Sequence, residues 1–130
     1  MIGLDTNVLV RFLVLDDRAQ SARATQIMEA LSEADPGFVS AVVLAETVWV
    51  LERSYRQDRA TIARVVQELL SADGLVLEHP EAVAIAMSSV RDAGADFADA
   101  LIGAIAAEVG CTRTLTFDRG AQRLPGFEAA

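Results

Sequence analysis

The side chains of this chain that could do chemistry are nearly all carboxylates, and they stand at four separate places. Asp5 lies in Leu4-Asp5-Thr6-Asn7, Glu46 in the middle of an apolar run, Asp96 and Asp99 in Asp96-Phe97-Ala98-Asp99, and Asp118 at the end of Thr116-Phe117-Asp118. Other catalytic types are scarce. His79 is the only histidine, Cys111 the only thiol, and all eleven basic residues are arginine, with no lysine. Two carboxylates about 4 Å apart repel by roughly 4 kcal/mol at an effective dielectric of about 20. Several of them meeting in one crevice therefore need a cation. An all-oxygen ligand set selects a hard ion, magnesium or manganese, and does not indicate zinc. Such an ion can activate a water and stabilise the charge that develops on a phosphodiester in an in-line displacement. It also answers a difficulty of charge, because a chain of net charge -8 is poorly suited to hold a polyanion by itself.

Each acid also has an ordinary reading. Asp5 has the residue type of a turn or helix cap. Glu46 is flanked at helical spacing by Val42, Val43, Trp49 and Val50, so it stands either on a narrow exposed strip or in a partly buried site that supplies a cation or donors. Asp96 and Asp99, three residues apart, share the first turn of a helix, where the helix dipole favours acids. The face beyond Asp99 is small and apolar (Ile102, Gly103, Ala106, Ala107), which points Asp99 into a packed crevice and leaves Asp96 as the cap. Asp5 and Asp118 each end a strand beside a hydroxyl residue, Thr6 and Thr116. If those strands are neighbours in a parallel sheet, both acids emerge at the same edge.

The elements that must position these acids alternate between short strands and helices. Ile2 to Leu4, Phe38-Val39, Leu75 to Leu77 and Thr114 to Phe117 read as strands, and the tail around Phe127 as a fifth that is short or absent. Helices are expected from Asn7 to Leu15, Ala19 to Ala34, Val42 to Tyr55 with Ser40 as cap, Asp58 to Ser71, Pro80 to Gly94, and Asp96 to Val109 closed by Gly110. Alternation of this kind predicts one α/β/α domain over residues 1–130, a short parallel sheet of four to five strands flanked by helices. Function in such sheets gathers at the carboxyl ends of the strands.

Of the 130 residues 52% are apolar and 23% charged, a globular balance. No apolar run reaches the roughly 18 residues of a membrane span. The N-terminus Met1-Ile2-Gly3-Leu4-Asp5 lacks a secretory pattern, and a lone cysteine permits no intrachain disulfide. A cytoplasmic protein without a membrane partner is the expectation.

Leu-Asp-Thr-Asn at the N-terminus, Ser-Ala-Val-Val-Leu-Ala-Glu, Asp-Phe-Ala-Asp-Ala-Leu-Ile and Leu-Thr-Phe-Asp resemble, in order and spacing, the motifs of the PIN-domain ribonucleases. More narrowly they resemble the VapC-type toxins of toxin–antitoxin modules. The resemblance implies that Asp5, Glu46, Asp99 and Asp118 form an acidic quartet binding Mg2+ or Mn2+, with Asp5 and Asp99 as the leading direct ligands. It makes Asp96 an accessory acid and has Thr6, Asn7 and Thr116 supporting the site by hydrogen bonding. It further implies endonucleolytic cleavage of structured RNA, a homodimer, and inhibition by a cognate antitoxin whose tail occupies the cleft.

Rival readings fit less well. A haloacid-dehalogenase-type phosphotransferase needs a second aspartate where this chain has Asn7. Receiver domains and phosphate-binding-loop enzymes need a lysine, and no Gly-x-Gly-x-x-Gly marks a dinucleotide site. A catalytically inactive PIN-like scaffold that binds a protein partner is the remaining alternative. Trp49 and its apolar neighbours are expected in core packing or a dimer contact, rather than in base stacking. Arg113, Arg119 and Arg123 are expected to pair with surface acids more than to grip RNA.

Overall fold

Short apolar runs closed by polar residues form the strands, and longer runs with helical spacing form the helices between them. The computed structural model describes residues 1–130. In chain order it comprises β1 (Ile2–Gly3), α1 (Thr6–Leu13), α2 (Arg18–Glu29), β2 (Gly37–Val39), α3 (Ala41–Arg53), α4 (Arg59–Ser71), β3 (Leu75–Leu77), α5 (Pro80–Ala93), α6 (Phe97–Glu108), β4 (Thr114–Thr116), a short 3-10 helix (Ala121–Arg123) and β5 (Phe127–Ala129). Most bounds fall within two residues of the sequence reading. The exception is α2, expected to run to Ala34. It stops at Glu29 because Ser32 turns back on Asp35: the Ser32 hydroxyl accepts the Asp35 N–H at 3.1 Å, and the Ser32 N–H donates to the Asp35 carbonyl at 3.2 Å.

The fold is mixed α/β with every strand pair parallel. Hydrogen bonding groups the strands as three and two: β1-β2-β3 with β2 in the centre, and β4 beside β5. The fifth strand does form. β1 has only two ladder residues, and the amides of Ile2 and Leu4 are used toward Pro36 and Phe38 of the β2 side. Strands this short provide few hydrogen bonds, so their position depends on burial of the flanking helices.

The chain divides into two compact units, Met1–Asp58 with Gln67–Glu78, and Arg59–Val66 with His79–Ala130. In the first unit the three-stranded sheet is flanked by helices, with Leu9, Val39, Leu44 and Leu51 fully buried. Gly37 belongs at the centre of this sheet because a Cβ there would meet Leu4 Cδ1 at 2.7 Å and Leu31 Cδ1 at 2.9 Å. In the second unit α5 and α6 pack against each other. Pro80 opens α5, and Gly94 closes it in the left-handed conformation, φ +66°. Val83, Met87 and Val90 of α5 and Phe97 and Leu101 of α6 are buried, each contributing about 1.5–3 kcal/mol if wholly removed from water. Gly103 on α6 allows the Phe127 ring of β5 to pack on the helix, since any Cβ there would collide with it. No helix is long and apolar enough to cross a membrane.

Candidate active site

In the second unit the helix start and the strand end bring acids together. Asp96 is the N-cap of α6, and its Oδ1 accepts the Asp99 N–H at 3.0 Å. That bond satisfies one of the amides a helix start leaves unpaired. Asp99, one turn in, is half-buried. Asp118 follows β4 in a tight turn: the Thr116 hydroxyl accepts the Asp118 N–H at 3.0 Å, and Asp118 Oδ2 accepts the Ala121 N–H at 2.8 Å, starting the 3-10 helix. Asp96, Asp99 and Asp118 line one cleft of about 210 Å³, together with Gly120 and Arg123.

This crowding shows in the titration of Asp99. Burial first, then the negative charges of Asp96 and Asp118, raise its pKa above the usual carboxylate value. The folded unit thus favours the protonated form of Asp99. Stability from this source is full at low pH and is lost as the pH rises through the raised pKa. The negative charges of Asp96 and Asp118 oppose ionisation of Asp99, and a cation in the cleft would offset them.

In the first unit Asp5 is the N-cap of α1 in extended conformation, but its carboxylate makes no capping hydrogen bond. The carboxylate is exposed and lies at the positive end of the helix dipole. Beside it Thr6 is 4% exposed, and its hydroxyl oxygen has no hydrogen-bond partner. Asn7 makes no side-chain hydrogen bond and lines a cleft of about 430 Å³ between α1 and α2 with Arg11, Gln20 and Arg23. The hydrogen-bonded support expected of Thr6 and Asn7 is therefore not made by side chains as they stand, whereas Thr116 holds the turn that carries Asp118.

Glu46 lies on an exposed strip of α3, so the first of its two sequence readings describes it. The helix is set by Ser40, whose hydroxyl accepts the Val43 N–H at 3.2 Å, and by Glu78 after β3, which accepts the Ala41 N–H at 2.9 Å. Thr47, the other polar residue of the run, turns inward: its hydroxyl donates to the Val43 carbonyl at 2.7 Å, and it is 1% exposed. Trp49, expected in core packing or a dimer contact, does not join the core: it is 57% exposed, with Arg53 over its ring at 5.7 Å from the centroid. The buried stripe of α3 is Leu44, Thr47, Val48 and Leu51, and Trp49 falls on the opposite side.

No three His, Cys, Asp or Glu side chains form a group that could hold a metal ion. In the acidic cleft one oxygen each of Asp96 and Asp118 is taken up by a backbone N–H at a helix start. The strand-neighbour condition placed on Asp5 and Asp118 is not met by hydrogen bonding, because β1 pairs with β2 alone and β4 with β5 alone. The donor chemistry nevertheless suits a hard divalent ion. Every candidate is an oxygen, Asp99 resists ionisation without a counter-charge, and the buried Thr6 hydroxyl is an oxygen without a partner. Among the arginines, Arg113 pairs with Glu128 at 3.1 Å, as expected of a surface arginine. Arg123 lines the acidic cleft instead, and no motif marks it in the sequence.

Comparison with curated proteins finds no match. The family model described as PIN domain matches residues 2–126, a span that reaches into both units and includes Asp5, Glu46, Asp96, Asp99 and Asp118. The chain therefore belongs to the PIN-domain family, a nuclease-type family whose members typically use divalent metal ions.

Proposed function

We propose that this PIN domain is a Mg2+- or Mn2+-dependent endoribonuclease and the toxin component of a type II toxin–antitoxin system. The observation that carries the reading is the Asp99–Asp118 pair, two carboxylates lining one cleft in which Asp99 ionises reluctantly. A perturbed acid in a cleft is a candidate for a functional site. In a nuclease-type family the economical account is that the site is built for a cation. Asp5, Glu46, Asp99 and Asp118 would hold it, with Asp5 and Asp99 as the principal ligands. When bound, the ion supplies a lowered pKa for the attacking water and offsets charge on the phosphodiester.

The chain's own residues have narrower tasks. Asp96 fixes the first turn of α6 and so the position of Asp99. Thr116 and Ala121 orient Asp118 through the hydrogen bonds described above. Asp5 brings a carboxylate that capping does not consume, and the Thr6 hydroxyl stands ready to accept or donate a bond beside it. Arg123, in the acidic cleft, is placed to meet a phosphate brought there. The toxin assignment, the homodimer and the antitoxin whose tail occupies the cleft rest on the motif resemblance. An inactive scaffold would keep the acids' repulsion with no ion to offset it.

The test is cleavage of structured RNA by the purified chain with Mg2+ or Mn2+, and after exhaustive chelation. Internal cuts that need the ion and disappear in Asp99→Asn are expected. Cleavage that survives chelation, or full activity in Asp99→Asn, would contradict the assignment. The toxin role predicts a small adjacent gene encoding a protein that binds this chain and blocks cutting.

A further inference from the structure

Glu46, Trp49 and Arg53 lie three and four residues apart on α3, so they form one strip along the helix. Successive members are displaced by about 4.5 and 6 Å along the axis. Val42 extends the strip and is 77% exposed. An indole left 57% in water forgoes much of the area that makes tryptophan valuable in a core. Here it is held in place by a guanidinium over its ring. A flat aromatic face, a positive charge over it and a neighbouring acid of the proposed metal centre make up one strip on an acidic chain.

We infer that Trp49 and Arg53 form a stacking platform for an unpaired base of the RNA substrate, with the Arg53 guanidinium meeting the adjoining phosphate. This rests on the ribonuclease reading and adds a binding determinant to it. The chemistry favours RNA as the occupant. Base stacking on aromatic side chains with arginine beside them is the general means of holding single-stranded nucleic acid without sequence preference.

The chain has a single tryptophan, so its intrinsic fluorescence reports on this strip alone. Titration with a short unstructured oligoribonucleotide in chelator, where nothing is cut, should quench Trp49 saturably. The same sequence annealed into a duplex should quench it little. Binding measured through a dye on the oligonucleotide should weaken roughly 5- to 150-fold in Trp49→Ala, the range for loss of one stacked base. Trp49→Phe should recover most of the loss. Arg53→Ala should weaken binding and lower the salt dependence by about one ion. With the ion present, KM for cleavage should rise in Trp49→Ala while kcat changes little.

Unchanged fluorescence at saturating oligonucleotide, in a wild-type protein that cuts RNA, overturns the platform and leaves the nuclease reading intact. Quenching by RNA in a protein that cuts nothing upholds the platform and removes the nuclease reading. Fluorescence that follows protein concentration instead of RNA, with Trp49→Ala shifting the oligomeric state, assigns the strip to a second copy and overturns the inference.

Discussion

In the second unit Asp96, Asp99 and Asp118 crowd one cleft and Asp99 is reluctant to ionise, whereas in the first unit Asp5 and Glu46 are exposed and neither hydrogen-bonds another side chain. Both regions carry acids on helix starts or faces, and in the second the charges of Asp96 and Asp118 bear on Asp99. The difference lies in the backbone that holds them. Asp96 and Asp99 are tied within one turn by a hydrogen bond, and Asp118 is fixed by two more. Asp5 and Glu46 sit on separate helices and face water.

The largest expected effects test whether both parts serve one reaction. Asp99→Asn, Asp118→Asn and Asp5→Asn should each reduce RNA cleavage by more than about 100-fold, a larger loss than the 10- to 100-fold typical of residues that merely support a metal ligand. The metal-free fold should survive in all three, as judged by circular dichroism. If Asp5→Asn cuts normally while Asp99→Asn is dead, the comparison breaks and the first unit has no part in the chemistry.

Thr6→Val comes next. The buried hydroxyl has no partner, so its removal should leave the metal-free melting temperature unchanged or raise it, by up to about 1 kcal/mol in stability. If the hydroxyl supports the site, cleavage should fall about 10- to 100-fold. Loss of stability with intact cleavage would make Thr6 an ordinary core residue.

Asp96 sharpens the division of labour between cap and ligand. Asp96→Ala should cost about 0.5–2 kcal/mol of stability through the lost cap, while Asp96→Asn keeps it nearly whole. Thermal unfolding of both variants checks this, and equal melting temperatures would show that the cap is not what holds Asp99.

The smallest effect is on pH dependence. Because the pKa of Asp99 is raised in the folded state, its contribution to stability is full below the unfolded carboxylate pKa and disappears as the pH rises through the folded value. Metal-free protein should therefore lose stability over that interval, and Asp99→Asn should flatten the profile. Urea unfolding at a series of pH values, with chelator present, measures it.

The sequence makes much of this arrangement legible. Asp-Phe-Ala-Asp at a helix start, with small apolar residues one turn on, identifies Asp96 as the cap and Asp99 as the inward acid, because helical spacing alone fixes that geometry. Thr116 beside Asp118 is legible for the same local reason. Trp49 is not. In a run of ten residues with only two polar ones, both sides of α3 look like core, and the side that is buried depends on neighbours from distant parts of the chain. The inward turn of Thr47 and the outward turn of Glu46, adjacent in sequence, are decided in the same way. The grouping of five parallel strands as three and two is equally beyond local reading, since parallel pairing is set by non-local contacts. Gly103 shows no sequence signature of the aromatic ring it accommodates.

The central claim is that acids remote in sequence coexist in this fold by sharing a divalent ion. Thermal unfolding of the metal-free chain and of Asp99→Asn, each titrated with Mn2+, tests it without requiring a substrate. The account predicts a melting temperature that rises with Mn2+ in the wild-type chain, reaching about 2.7 kcal/mol of added stability at 100 times the Kd, and little or no rise in Asp99→Asn. A wild-type melting temperature indifferent to Mn2+, or an equal rise in the variant, would contradict it.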